Sequence, residues 1–136
     1  MNEELQKKLV EKYPKILKDH GGNPAETCMA WGMDCGDGWY DLLDKCMEKL
    51  QYFCDKCSTE ERTLQVVAAQ IKEKYGTLRF YIHGFDDINE IEWSIINVII
   101  ADAEGKSCYT CEACGDTTAK RCEKNNWLYT ACEKCK

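Results

Sequence analysis

Leu5, Leu9, Val10, Tyr13, Ile16 and Leu17 recur close to every 3.6 residues, so residues 3–18 predict an amphipathic helix. Pro14 interrupts that pattern, either as a kink or as the boundary between two short helices. A loop follows at His20–Pro24, rich in glycine and ending in Asn-Pro. Leu42, Leu43, Cys46, Met47, Leu50, Phe53, Cys54 and Cys57 then line one face of a helix expected from about Trp39 to Cys57. The turn before it, Cys35-Gly36-Asp37-Gly38-Trp39, has the glycines of a tight turn and an aspartate suited to capping.

The period changes after residue 64. Val66, Val67, Ala68, Ala69 and Ile71 predict a strand over 64–72, and Lys74-Tyr75-Gly76-Thr77 a turn. Leu78, Phe80 and Ile82 alternate with Arg79, Tyr81 and His83, which predicts a returning strand with one buried and one wetter face. A last helix is expected after Asp86-Asp87, either of which could cap it, ending at Gly105. Its stripe is Ile88, Ile91, Ile95, Ile96, Ile99 and Ala103, with Trp93, Val98 and Ile100 off it. A helix apolar over so much of its circumference is read as a core helix, the alternative being a face that holds a partner.

These elements make an α+β fold, three helices around a β-hairpin over residues 1–105, followed by a cysteine-rich unit over 106–136. The chain has 136 residues, 44% apolar and 31% charged, in keeping with a soluble globular protein large enough to bury a core. No apolar run reaches the roughly 18 residues of a membrane span. The N-terminal MNEELQKKLVEKY is polar and is not read as a signal peptide. A reducing compartment is therefore expected, where eleven cysteines, an odd number, are buried, reactive or metal-bound rather than fully paired.

Cys111-x-x-Cys114-Gly115 and, seventeen residues on, Cys132-x-x-Cys135 have the spacing of a four-thiolate zinc ribbon or knuckle. Each pair sets two sulfurs on one tight turn, and Gly115 can take the backbone angles such a turn needs. Folding energy from the metal would support a segment with few core residues beyond Trp127, Leu128 and Tyr129. Cys108 makes an equally spaced pair with Cys111, and Cys122 is a further candidate, but Cys111 and Cys114 are preferred because Gly115 follows the second of them. A second zinc at Cys28, Cys35, Cys54 and Cys57 is the weaker expectation, the alternative being that these are small buried hydrophobes.

No nucleophile elbow, phosphate-binding loop or paired-histidine metal motif is present. Only His20 and His83 are available as imidazoles, and Asp34, Asp37 and Asp41 are accounted for by capping and solvation. A non-enzyme is expected, with no catalytic residue and no small-molecule substrate. The net charge is −6, and about −8 once four thiolates hold one zinc ion. Six acidic residues and no Lys or Arg lie between Asp86 and Glu104, and nine acids against three lysines between Glu26 and Glu61. Such a surface disfavours nucleic acid and suits a basic protein. Arg79, Tyr81 and His83, with Lys72 nearby, are a small contact patch or simply an exposed sheet face.

The runs CGDGWYDLL (35–43), VVAAQIKEKYGTLRFY (66–81), CEACG (111–115) and WLYTAC (127–132) resemble a family of small phage and prophage proteins, over roughly residues 28–135. Relatives commonly end in Cys-x-x-His where this chain has Cys132-x-x-Cys135, and both endings fit zinc. The resemblance implies a phage accessory protein acting in the cytoplasm of a bacterial host. Proteins of this general kind include inhibitors of CRISPR effector nucleases, so the expected activity is anti-CRISPR, docking on a basic nuclease channel through acidic residues. The alternative is a zinc-ribbon nucleic-acid binder acting in transcription or replication.

Overall fold

The computed structural model describes residues 1–84 and 87–136 and is a mixed α+β fold. Helix α1 spans Glu3–Lys12. Asn2 caps it, its side chain accepting the Leu5 N–H at 2.9 Å. The predicted helix over 3–18 thus ends early. Tyr13, directly before Pro14, has φ −127° and ψ 58°, outside the helical region as expected for a residue preceding proline. A series of turns over 14–21 then carries Ile16 and Leu17 into the core, where both are buried.

Strand β1 (Met33–Asp34) was not expected and pairs in parallel with β2 (Val67–Lys74), which pairs antiparallel with β3 (Thr77–His83). The sheet order is β1-β2-β3. Leu78 and Phe80 are buried and Tyr81 and His83 exposed, the predicted alternation. Helix α2 (Tyr40–Cys57) starts one residue later than expected, after a short 3-10 turn at Asp37–Trp39. It buries Leu43, Cys46, Met47, Leu50 and Cys54 against the same core.

Helix α3 spans Glu90–Ser107 and is capped by Asn89, not by an aspartate. Asn89 and Glu92 form a reciprocal capping box, and Glu92 also pairs with Arg62. Of the two expected caps, Asp86 lies outside the described residues. The expected stripe is mis-phased. The buried face is Glu92, Ile96, Ile100, Ala103 and Ser107, whereas Ile91 is 74% exposed and Ile95 39%. The outer edge of β3 explains the setting of α3. The Leu78 N–H donates to Ser107 Oγ at 2.9 Å and the Phe80 N–H to Glu104 Oε1 at 3.0 Å. Side chains from the last turns of α3 thereby satisfy amides of β3 that have no strand partner. Those bonds also carry the helix past Gly105, where it was expected to stop.

The C-terminal segment adds a hairpin, β4 (Lys120–Lys124) and β5 (Trp127–Ala131). Asn125 and Asn126 connect them, both with positive φ (52° and 63°), as a two-residue turn of the right twist requires. Among the described residues no helix is long and apolar enough to cross a membrane.

The phase of α3 is testable. Ile96→Ala should lower the unfolding free energy by about 2–4 kcal/mol, as for a fully buried site. Ile91→Ala should change it by no more than ~0.5 kcal/mol in dilute protein. Urea titrations of both variants check this, and equal losses would contradict the observed face.

Candidate metal centre

Two turns bring four sulfurs together. The first runs Cys111–Asp116, closed by Gly115 N–H to Cys111 O at 2.8 Å and Cys111 N–H to Asp116 O at 2.8 Å. Gly115 has φ 83°, the left-handed conformation expected of it at this place. The second follows β5, with Cys135 N–H on Cys132 O at 3.1 Å. The Sγ atoms of Cys111, Cys114, Cys132 and Cys135 all lie within 4.8 Å of one another, so this group could hold a metal ion. Cys114 Sγ and Cys132 Sγ are 3.6 Å apart, far beyond the ~2.05 Å of a disulfide and close to the ~3.8 Å edge of a tetrahedron with 2.3 Å metal–sulfur bonds.

The electrostatics of the cluster favour a cation. Burial raises the Cys111 thiol, but the amides of Cys132, Cys114 and Ala113 aim at its sulfur and bring it down to about 6. Cys135 is pushed up to about 12 by the thiols of Cys114, Cys132 and Cys111. A positive ion among the sulfurs would relieve this opposition between neighbouring thiols. Cys111 and Cys132 are buried, while Cys114 and Cys135 are exposed.

Packing points the same way. The segment's own apolar cluster consists of Cys111, Ala119, Ala131 and Cys132, with Cys122 and Tyr129 against it. Two of its four buried members are cysteines of the site. Trp127, expected in this core, is 65% exposed, and Leu128 and Tyr129 are only half-buried. Of the alternative ligands, Cys108 is exposed at the end of α3, its sulfur 3.8 Å from Glu104 O, and Cys122 points its thiol at Lys120 O. Neither joins the group.

The turn Cys35–Trp39 forms the seat of this cluster, a role not visible in the sequence. Glu112 carries most of the contact. Its carboxylate accepts the Gly36 N–H at 2.9 Å, its carbonyl accepts the Gly38 N–H at 2.8 Å, and its own N–H donates to Thr130 O at 3.1 Å. Trp39, fully buried, donates its indole N–H to Thr110 O at 2.9 Å. A Cβ on Gly38 would collide with Cys111 O and lie 2.6 Å from Gly115 N and 2.7 Å from Cys114 N. On Gly36 it would lie 2.7 Å from Glu112 Cγ. These glycines are present for backbone contact. Asp37 is not a helix cap as expected; its carboxylate accepts the backbone and side-chain N–H groups of Asn2 at 2.7 and 2.9 Å. On the other side of the cluster, Thr130 Oγ1 donates to Gly76 O at 2.6 Å and Arg121 to Tyr75 O.

The second cysteine set does not come together. Among the described residues the C-terminal four are the group of this kind, and Cys28, Cys35, Cys54 and Cys57 form none. Cys28 is exposed, Cys35 and Cys54 belong to the main core, and Cys57 is half-buried at the end of α2. Burial pushes the Cys35 and Cys46 thiols up to about 12, so they are small neutral hydrophobes. His83 pairs with Asp19 at 2.9 Å and His20 with Gln6 at 2.8 Å, which leaves each imidazole tied to a neighbour away from the sulfurs. No family model, no curated protein and no solved structure matches the chain.

Gly38→Ala should force the two turns apart, lowering stability by about 2 kcal/mol or more. The loss should appear in thermal unfolding of metal-loaded protein. A melting point unchanged within a degree would show that the close approach is not a constraint.

Proposed function

We propose that the four C-terminal cysteines hold one structural zinc ion in a ribbon or knuckle, and that the chain is a non-enzymatic binding protein. The observation that carries this is the set of four sulfurs within 4.8 Å on two tight turns. Thiolate sets of this kind take Zn²⁺ as a closed tetrahedral site, with no position left for water or substrate. The ion serves folding, since the surrounding cluster is too small to order the segment without it.

The partner we assign is a protein with a basic surface. The net charge of −6 supports it, and so do the exposed carboxylates Asp41, Glu48 and Asp55 along α2 and Glu60 and Glu61 beyond it. The stretch 86–104 contributes less than its composition suggested. Glu92 pairs with Arg62, Asp102 with Lys106 and Lys49, and Glu104 accepts the Phe80 N–H. With the phage-family resemblance, the most specific form of this reading is inhibition of a type II CRISPR effector nuclease in a bacterial host.

A second reading has its own observation. Tyr75 and Trp127, 62% and 65% exposed, flank one cleft with Lys72, Lys74 and Asn126, and Lys74 Nζ stands 5.5 Å from the Tyr75 ring centre. Aromatic faces beside lysines are the elements of a single-stranded nucleic-acid platform.

Elemental analysis of protein purified without added metal should give one zinc per chain, and Cys132→Ser should lose it; a zinc-free wild type overturns the site. Mixing with the effector nuclease should give a complex and loss of DNA cleavage. Undiminished cleavage without a complex removes the nuclease assignment while leaving the zinc site standing. Binding of single-stranded DNA that weakens steeply with salt would establish the second reading instead.

A further inference from the structure

The four gathered sulfurs are not equally sheltered. Cys111 and Cys132 are buried, whereas Cys114 and Cys135, the second cysteine of each turn, are exposed. Across the two turns Cys114 Sγ stands 3.6 Å from Cys132 Sγ, so a sulfur open to solvent lies beside a sheltered one. A disulfide needs ~2.05 Å, a closure of about 1.5 Å shared between two short turns. The segment has little else to hold it once the sulfur set is broken. Apart from Cys111 and Cys132, its buried cluster consists of Ala119 and Ala131.

We propose that the zinc site is a reversible redox switch, in which a peroxide joins Cys114 to Cys132 and the metal is released. The switch rests on the zinc reading above and concerns the regulation of that site. Sulfurs bound to zinc are thiolates, and the thiolate is the form that attacks peroxide. Cys114 Sγ, the exposed member of the close pair, attacks one peroxide oxygen. The O–O bond breaks, hydroxide leaves, and the sulfur becomes a sulfenic acid. Cys132 Sγ then attacks that sulfur, the S–O bond breaks, and a second hydroxide leaves as the disulfide forms. The hydroxides take two protons from solvent, so two thiolates and one hydrogen peroxide give one disulfide and two waters. Two electrons pass from sulfur to oxygen. The 3.6 Å approach selects Cys114 rather than Cys135 as the sulfur that is resolved. Cys111 and Cys135 then remain, one on each turn, and two thiolates in place of four hold zinc far more weakly. A dithiol reductant reverses the step by exchange, returning both thiolates and taking up the two electrons' worth of oxidation as its own disulfide.

The test treats the purified full chain, its zinc content already measured, with a few equivalents of hydrogen peroxide while a chromogenic chelator reads free zinc. Close to one zinc per chain should appear, with the loss of two free thiols. Trypsin cuts after Lys106, Lys120, Lys124 and Lys134, which separates Cys132 from both Cys114 and Cys135. Mass spectrometry of the digest should therefore find residues 107–120 linked to 125–134, with fragmentation placing the bond at Cys114. Dithiothreitol and added zinc should restore the metal-bound, fully reduced protein. Cys108→Ser combined with Cys122→Ser, thiols outside the group of four, should release zinc as the wild type does. A chain that carries no zinc before oxidation overturns the site and the switch together. Zinc that stays bound in peroxide, release without a Cys114–Cys132 disulfide, release abolished by the double serine variant, or failure to recover on reduction overturns the switch and leaves the zinc site standing.

Discussion

Two stretches of backbone touch without side chains between them, and much of the molecule is arranged around that contact. Gly36 and Gly38 on one side meet the Cys111–Gly115 turn on the other, with Glu112 exchanging three hydrogen bonds across and beside the contact. Buried amides and carbonyls need partners, and here the partners come from another turn rather than from a strand or helix. The contact fixes where α2 begins, because Trp39 is drawn down onto Thr110 O. It also fixes where Cys111 and Cys114 stand, because their turn rests on Gly36 and Gly38.

The cysteine segment has little apolar burial of its own. Four buried residues, two of them ligands in the proposed site, would not offset the ordering of some thirty residues by hydrophobic burial alone. In the proposed site a zinc ion would supply the missing free energy and neutralise thiolates that otherwise oppose one another. The remaining support comes from outside the segment, through the β2–β3 turn at Tyr75 and Gly76 and the seat at Cys35–Trp39. In the proposed site the metal and the domain surface would act together, so loss of either should loosen both.

Much of the architecture was legible in the residues. The face of α2, the β2–β3 hairpin with its alternation and the identity of the four gathered cysteines all follow from local spacing. Strand β1 did not, because two residues carry no period and its pairing to Ile71 and Lys72 depends on distant chain. The phase of α3 was misread because isoleucines occur around most of its circumference, and the decisive features are polar. Glu92 turns inward to Arg62, and Glu104 and Ser107 turn inward to the edge of β3. The role of Gly36-Asp37-Gly38 was hidden for a related reason. A turn that receives another turn looks in sequence like any turn before a helix.

A closed four-sulfur zinc site is what the proposed function rests on. X-ray absorption at the zinc edge of the purified protein tests it most directly. Four sulfur neighbours at about 2.3 Å are expected, with no nitrogen or oxygen bound to the zinc. An oxygen or nitrogen ligand in place of a sulfur would contradict the closed, non-catalytic site, and an absent zinc edge would contradict the site itself.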